Sequence, residues 1–389
     1  MNEAELKRAL RERPVPGEAE ARERTLRVLR AAHAAGARSP AGRRRSLRPA
    51  IALVVAALAL GTGLSPAGAD VRDWIGDRLD PEPTLSRLPS AGRLLVSSPQ
   101  GSWVVNEDGL LRRLGDYSSA GWSPRGLFAV AASGRRLYAV EPDGTVRWSI
   151  ARPGRVGHPA WSPGDGFRVA YLEGATLRVV AGDGSGDRLV DRGVAAVTPA
   201  WRPGPGYVLS YATAYGRIVT RDVLGGRVLW SARVGERPAR LEWTARGDRL
   251  VALAGGAVLS YAREGAPGAR RELPAGVRAR VMAVHPSGRS VAVAGTAGGV
   301  VGISLSAPAR RTRKLFDGDG RFTGLAWSPD GRWLAAGWHD ADQWVFVRSP
   351  GARRGAAGAR RVVTFSRIAE QLDPGGNAGF PRLDGWCCG

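Results

Sequence analysis

Cysteine, histidine and recognisable catalytic motifs are scarce in this sequence of 389 residues. The two cysteines are neighbours, Cys387 and Cys388, and a metal site requires more ligands than this pair offers. Adjacent cysteines can close a strained disulfide ring, although two buried small residues at the end of a strand are the simpler interpretation. Phosphate-binding loops, nucleophile elbows and Cys-His pairs do not occur in a supporting context. We therefore predict no enzymatic activity, no cofactor and no metal ion.

The few histidines support the same prediction. They stand at His33, His158, His285 and His339. His33 lies near the N-terminus, while His158 and His285 lie beside or within the repeated motif described below. His339 shares a tight hairpin with Asp340 and Asp342, where a metal or polar ligand could bind, but a solvated turn is the simpler interpretation.

Two acidic, glycine-rich segments resemble calcium-binding loops. They are residues 317–320 and 183–187, and neither has the glutamate that such a loop places at a fixed spacing. We predict that both are ordinary turns.

Lysine is also nearly absent, since Lys7 and Lys314 are the two lysines and the other 55 of the 57 basic residues are arginines. The formal net charge is +22, and such a charge usually indicates a polyanionic partner. The arginines are spread through every segment, however, and no helix-turn-helix or aromatic and basic RNA-binding motif accompanies them. We expect a solvated arginine-rich surface and no nucleic-acid partner.

One hydrophobic segment is long enough to span a membrane. Residues 49–69 form a run of 21 residues without a charge, and about 20 apolar residues cross a bilayer. Arginines precede this segment and Asp70 follows it, so the positive-inside rule places the N-terminus in the cytoplasm and the rest of the chain outside. A cleaved signal peptide is the alternative, because Ala67-Gly68-Ala69 fits the cleavage pattern. We favour a single-pass anchor in the cell membrane.

The flanks of this segment define the remaining N-terminal regions. Residues 1–48 form a basic cytoplasmic tail with two short helices or no fixed structure, and residues 70–91 form a linker. The second helix candidate, residues 18–35, could bind a cytoplasmic partner or anionic lipid.

A unit of about 40 residues recurs after residue 90. Each copy contains a strand ending in Trp-Ser-Pro or a relative, then a turn with glycine and further short strands. The tips of successive copies are 39, 40, 42, 41 and 43 residues apart, and they are Trp122, Trp161, Trp201, Trp243, Val284 and Trp327. Several short strands repeating with a period near 40 are typical of a β-propeller.

The residue types of the repeat fit this architecture. Each tip tryptophan is predicted to wedge between neighbouring blades and to bury about 200 Å². The proline fixes φ where the strand stops, and Asp330-Gly331 is typical of a turn that needs positive φ. The short apolar run that follows each turn predicts a strand buried on both faces.

The two ends of the repeat region complete the ring. Residues 92–115 contain three strands without a tip strand, and residues 380–388 supply one, with Trp386 at the tryptophan position. If the two segments pair, the propeller spans residues 92–388 with seven blades and has no open sheet edge. Six blades are the alternative. The long gap before Trp386 predicts an insertion with a short helix at residues 366–372.

The Trp-Ser-Pro-Asp-Gly-Arg stretch at residues 327–332, with its weaker copies, resembles the WD-like repeats of the Tol translocation protein's periplasmic propeller and of other bacterial envelope proteins. The resemblance covers about three quarters of the chain. It implies a propeller that binds a protein or ligand, and it assigns no catalytic residue. The chain departs from the pattern at Trp243-Thr244-Ala245 and Val284-His285-Pro286.

These observations favour a membrane-tethered, non-catalytic platform that binds an unknown protein or envelope ligand on a propeller face. One alternative is a transmembrane regulator whose tail, residues 1–48, binds a cytoplasmic factor. Another is an enzyme that acts on an extracellular polymer with carboxylates at the channel mouth. The sequence identifies neither the ligand nor the oligomeric state.

Overall fold

The computed structural model describes residues 85–164, 167–305, 312–349, 361–372 and 379–388. Within these ranges, twenty-eight strands form seven four-stranded antiparallel sheets. The predicted tail, the hydrophobic segment 49–69, the first part of the linker and His33 lie outside the described residues. Among the helices of the described ranges, none has the length and apolar character needed to cross a bilayer.

The strands follow one another with short connections. In chain order they are β1 Arg93–Ser98, β2 Gly101–Val105, β3 Leu111–Gly115, β4 Ser119–Trp122, β5 Ala129–Ser133, β6 Arg136–Val140, β7 Val146–Ala151, β8 Val156–Trp161, β9 Arg168–Glu173, β10 Thr176–Ala181, β11 Arg188–Arg192, β12 Ala200–Trp201, β13 Val208–Ala212 and β14 Arg217–Asp222. The second half comprises β15 Val228–Arg233, β16 Arg240–Trp243, β17 Arg249–Ala254, β18 Ala257–Ala262, β19 Pro267–Glu272, β20 Ala279–Val284, β21 Ser290–Gly295, β22 Val300–Ser304, β23 Thr312–Phe316, β24 Phe322–Trp327, β25 Trp333–Trp338, β26 Gln343–Arg348, β27 Val362–Ser366 and β28 Arg382–Cys387.

The sheets are the blades of a closed ring. Blade 1 has the strand order β28-β1-β2-β3 and therefore combines both ends of the described chain, whereas blades 2 to 7 are β4–β7, β8–β11, β12–β15, β16–β19, β20–β23 and β24–β27. The pairing of β28 with β1 covers the two edges that would otherwise be exposed. The structure confirms the prediction of an all-β propeller with seven rather than six blades.

The second strand of each blade is the most deeply buried. In β5 and β17 the alanine, valine and leucine side chains are almost completely inaccessible to solvent. These strands are apolar on both faces because a neighbouring blade covers each face. The outer strands β7, β15 and β19 instead alternate between exposed and half-buried residues, as a strand with one solvated face does.

The core consists of layers between neighbouring blades. One layer joins Val281 and Ala283 of blade 6 to Phe322 and Trp327 of blade 7. The layer that closes the ring packs Phe346 of blade 7 against Trp386 and Leu94 of blade 1. The ring is therefore held together by contacts between neighbouring sheets, including the two sheets where the ring closes.

The residue after each tip tryptophan holds the first turn of the blade. The buried hydroxyl of Ser328 accepts the backbone N–H of Trp333 at 2.9 Å, and Ser123 accepts that of Phe128 at 3.0 Å. Thr244 replaces serine and accepts the N–H of Arg249 at 3.2 Å. At the other departure, the backbone of His285 still bonds to Ser290 at 2.9 Å. The two irregular copies thus keep the turn of the regular ones.

The segments outside the strands pack on the propeller. Residues 85–91, assigned above to the linker, include Leu88, which belongs to the core between blades 7 and 1. The predicted short helix is present as α1 Ile368–Leu372, two residues later than its predicted start. Its Gln371 side chain accepts the backbone N–H of Leu85 at 2.9 Å, so the two segments are linked.

Candidate functional site in the central channel

The inner strand of every blade ends in the same register. Each tip residue faces the first core residue of the second strand, in the pairs Trp122–Ala129, Trp161–Val169, Trp201–Leu209, Trp243–Leu250, Val284–Val291, Trp327–Leu334 and Trp386–Leu94. We call the face with these tips the lower face. The face where the inner strands begin is the upper face.

Several tip tryptophans contact the preceding blade through the indole nitrogen. Trp201 Nε1 donates to the Ala160 carbonyl at 3.1 Å, and Trp327 Nε1 donates to the Ala283 carbonyl at 3.1 Å. Both acceptors immediately precede the tip residue of the neighbouring inner strand. The side chain thus bridges two blades, which is the geometry that a wedge requires.

A cavity of about 730 Å³ lies in the central channel, near the upper face. Blades 4 to 7 and blade 1 contribute residues near the start of their inner strands or in the loops before them. Strands β4 and β8 line the cavity along their whole length, down to the tip residues Trp122 and Trp161. The polar residues in this wall are Ser118, Ser119, Arg155, His158, Thr198, Arg240, Arg280, Thr323, Arg382 and Asp384. A space of this size is in the range that small-molecule sites occupy.

Strand irregularities bring several of these polar side chains into the wall. In four of the seven inner strands the register against the second strand shifts near the upper face. Residues that the shifts leave without an opposite partner include Arg280, Thr323 and Asp384. A β-bulge changes the direction of a side chain from the one that the regular alternation of a strand would give it. Such bulges are frequent next to functional sites.

The lining is strongly basic. Four arginines, Arg155, Arg240, Arg280 and Arg382, face one carboxylate among the described lining residues, Asp384. The Asp384 carboxylate forms an ion pair with Arg382 at 2.7 Å, and the Asp384 side chain is almost completely buried. Arg240 lies deep in the channel, where burial and the positive charge of Arg382 lower the pKa of its guanidinium. The wall therefore carries positive charge that its own residues do not neutralise.

Glu242 is the second acidic group near this wall. It lies on β16 two residues after Arg240, and its carboxylate accepts the backbone N–H of Val284 in the next blade at 3.0 Å. Burial raises the pKa of Glu242 to about 7, although this hydrogen bond and Arg240 act in the opposite direction. Burial therefore disfavours the charged form of this carboxyl group.

His158 is part of the channel wall, which the sequence did not predict. Its backbone has a φ of 53°, a strained value for a residue other than glycine, and it lies in the bulge between β8 and β9. Its Nδ1 lies 3.4 Å from the Thr198 hydroxyl. Burial, then Arg382 and Arg240, lower the pKa of His158, so the ring is neutral at pH 7.

His285 and His339, the other histidines in the described ranges, have contacts within the protein. His285 packs edge-on against Trp327 with ring centroids 4.6 Å apart, and its Nε2 lies 3.0 Å from the Gly331 carbonyl oxygen. His339 Nδ1 bonds to Asp340 at 2.8 Å in a short 3₁₀ turn. Asp342, from the same hairpin, accepts the N–H of Ala369 in α1 at 3.0 Å.

In the first acidic loop, residues 317–320, Asp317 forms an exposed ion pair with Lys314 at 2.9 Å. The second loop, residues 183–187, is tied more firmly to the protein. Asp187 is held by Arg178 at 2.7 Å, Arg152 at 2.9 Å and the Tyr171 hydroxyl at 2.7 Å. It therefore belongs to an ion-pair network between blades 2 and 3. Across the described ranges, no three His, Cys, Asp or Glu side chains come together in a group suited to a metal ion.

The cysteine pair differs from the interpretation favoured by the sequence. Cys387 and Cys388 are half-buried and joined by a disulfide bond, instead of being two buried unbonded residues. The backbone turns sharply at Cys388, with a φ of 52°, and this turn brings the two sulfur atoms together. The pair lies at the lower face beside Ser123 and Pro124 of blade 2.

The basic wall was missed because the sequence shows the arginines singly. Arg240 and Arg382 are the first residues of β16 and β28, Arg280 is the second residue of β20, and all three line the same cavity. The sequence did contain a signal for this cluster. When the repeats are aligned on their tip residues, Arg240 lies three residues before its tip, and Arg280 and Arg382 lie four residues before theirs. The prediction of a solvated arginine-rich surface did not include this cluster of arginines in the channel.

No family model matches the sequence, and no curated protein matches it. Solved structures do resemble the fold. A chain of the mitotic checkpoint complex aligns with a TM-score of 0.52 at 17% identity, over 69% of this chain and 81% of that one. The β-propeller domain of Cps50 (Swd1) from Myceliophteria thermophila aligns with a TM-score of 0.50 at 13% identity, over 64% and 94%.

A third structure, Kluyveromyces lactis Hsv2p, aligns with a TM-score of 0.50 at 13% identity, over 66% of this chain and 89% of that one. At these identities the likeness concerns the fold alone. The chain is thus a WD-like seven-bladed β-propeller with a basic cavity in its channel.

Proposed function

We propose that this protein is a non-catalytic binding platform whose partner docks on the upper face, over the channel. The observation that supports this proposal best is the open cavity of about 730 Å³ with its unneutralised arginines. Ligand sites are concave and contain a few convergent polar groups, and this cavity fits that description.

The rim of the upper face also offers an exposed aromatic side chain. Tyr215 lies in the turn between β13 and β14, which is at the upper face because β13 runs antiparallel to its inner strand. Its side chain is 86% exposed. Exposed tyrosines and arginines are enriched among the residues that dominate protein interfaces, so the rim is suited to a protein partner.

The acidic residues of the channel favour binding over polymer hydrolysis. A glycosidase-like mechanism needs two carboxyl groups free to act on one bond. Asp384 is ion-paired with Arg382, and Glu242 bonds to the backbone of the next blade. Both carboxyl groups are therefore already engaged in contacts within the ring.

We also propose that residues 49–69 tether the propeller to the outer side of the cytoplasmic membrane. The uncharged run, the preceding arginines and the resemblance to envelope propellers support this location. In membrane fractions the full-length chain should resist carbonate extraction, and the propeller should be accessible to protease added to spheroplasts. Recovery of a chain that begins near Asp70 would instead indicate a cleaved signal peptide.

Affinity purification with matched variants tests the platform. The full-length chain should capture a partner that Tyr215→Ala on the upper face loses. Leu127→Ser is the control, because Leu127 is 59% exposed on the lower face, in the turn between β4 and β5. Equal loss in both variants would contradict docking on the upper face. Loss caused by deletion of residues 1–48 alone would favour the regulator whose tail binds a cytoplasmic factor.

A further inference from the structure

We propose that the channel cavity binds a small, multiply charged oxyanion, with phosphate or carboxylate groups held by Arg240, Arg280 and Arg382. This inference deepens the proposed function, since it names the ligand chemistry of the same face. The three arginines come from blades 5, 6 and 1 and form one side of the wall.

The first argument is the contrast with two partly buried arginines that lie between blades 2 and 3. Arg152 and Arg178 are each paired with Glu173 and Asp187, and the closest of these contacts are 2.7 to 3.1 Å long. Arg240 and Arg280 have no ion pair among the described residues. Placing a guanidinium in a cavity without a counterion is unfavourable unless a ligand supplies the charge.

The second argument is the composition of the opposite wall. Ser119, His158 and Thr198 of blades 2, 3 and 4 face the arginine side. The Ser119 hydroxyl is buried and has no hydrogen-bond partner in the protein. A neutral imidazole and two hydroxyls can donate hydrogen bonds to ligand oxygens without adding a negative charge that would repel them.

The third argument is the match between the arginines and the ligand. A guanidinium presents two parallel N–H donors, which suit the paired oxygens of a phosphate or carboxylate. A cavity of about 730 Å³ is far larger than a single phosphate. A ligand with several oxyanion groups can therefore reach more than one arginine at once.

Isothermal titration calorimetry on the full-length chain, purified in a mild detergent, tests the proposal. Inorganic pyrophosphate and citrate serve as probes at ionic strength kept constant with sodium chloride. We expect saturable binding of one molecule per chain, and the tighter of the two probes identifies the phosphate or the carboxylate source. Arg240→Gln and Arg280→Gln should each weaken binding about tenfold or more.

Arg246→Gln is the matched control. It removes one charge from the same blade as Arg240, but Arg246 is exposed in the turn between β16 and β17 at the lower face. It should leave the affinity unchanged. If Arg246→Gln weakens probe binding as much as Arg240→Gln, the effect is general electrostatic attraction and the proposal is overturned. The absence of saturable binding of both probes would also overturn it.

Folding is checked independently. Arg280 is exposed at the channel mouth, so Arg280→Gln removes little packing and should leave the thermal midpoint of the free protein unchanged. Arg240 is half-buried and interacts with the charges of Asp384 and Glu242, so the thermal midpoint of Arg240→Gln is measured beside its affinity. If Arg240→Gln is less stable, Arg280→Gln decides the test. If neither probe binds while Tyr215→Ala still loses its partner, the oxyanion site is wrong and the platform stands. The opposite result is also informative. If a probe binds but Tyr215→Ala retains its partner, docking at the Tyr215 rim is contradicted and the oxyanion site stands.

Discussion

The carboxyl group of Glu242, near the channel wall, has one stabilising and one destabilising effect on the folded ring. It connects β16 to β20 through the Val284 N–H, yet burial raises its pKa to about 7. The charged groups around it are Arg240 on its own strand and, beyond Arg240, Arg382 and Asp384 of β28. Its ionisation therefore links pH to the stability of the ring.

Glu242→Gln should stabilise the protein at pH 8 and leave it nearly unchanged at pH 5. The pKa of Glu242 in the folded protein exceeds its ordinary value of 4.5, so the folded state binds more protons between these values and stability falls as pH rises through 7. Glutamine keeps the oxygen that accepts the Val284 N–H and cannot ionise. We expect a gain of about 1–3 kcal/mol in the free energy of urea unfolding at pH 8. An equal gain at both pH values would refute this account.

Trp327 and Trp161 allow the indole hydrogen bond to be separated from the wedge. Both are tip residues with 8% exposure, but Trp327 Nε1 donates to Ala283, whereas Trp161 Nε1 is buried without an acceptor in the protein. Trp327→Phe should therefore destabilise the protein by about 1 kcal/mol more than Trp161→Phe. Urea unfolding of the two variants measures the difference. An equal loss in the two variants would show that side-chain size alone governs the wedge.

At the scale of elements, the ring closes where β24 and β28 approach each other. Gly324 of β24 lies so near that an added Cβ would be 2.7 Å from the backbone nitrogen and oxygen of Leu383. The small residue permits the last strand to seat between blade 7 and blade 1. Leu383 and Trp386 then complete the core layer at the junction.

Gly324→Ala should weaken this junction. The new methyl group would push β28 away from its neighbours, and overpacking of this kind costs about 1–3 kcal/mol. The control is Gly157→Ala in β8, where an added Cβ meets no atom within 4 Å. Hydrogen exchange should show faster opening of β28 and β1 in Gly324→Ala alone. Uniform acceleration in all seven blades would place the defect elsewhere.

The elements differ in how far the sequence predicts them. The tip tryptophans and the apolar second strands recur with one period, because every blade has the same packing requirement. This recurrence predicted the seven blades and the pairing of the two ends of the repeat region. The bulges at Arg280, Thr323 and Asp384 were not predictable, since they depend on how each inner strand meets its neighbours around the channel. The candidate site therefore combines residues at such bulges with residues, such as Arg240 and Arg382, at the start of regular inner strands.

At the scale of the whole molecule, the ring converts distant residues into one site. Arg240 and Arg382 lie in blades 5 and 1, and the channel wall forms when β28 pairs with β1. The formal charge of +22 gave no indication of this, because composition does not record position. The pairing of β28 with β1 therefore closes the ring and completes the basic wall at the same time.

A ligand in the channel should therefore stabilise the closed ring. At pyrophosphate concentrations of about 100 times the dissociation constant, binding to the folded state alone adds about 2.7 kcal/mol to the free energy of unfolding. We expect the thermal midpoint to rise by a few degrees, and hydrogen exchange to slow in β28 and β16 together, since the ligand contacts both. Sodium chloride at equal ionic strength should produce neither change. A midpoint that rises equally in Arg240→Gln would mean that the anion acts on the surface and not through the channel, because that variant keeps every surface arginine but loses the one deep in the wall.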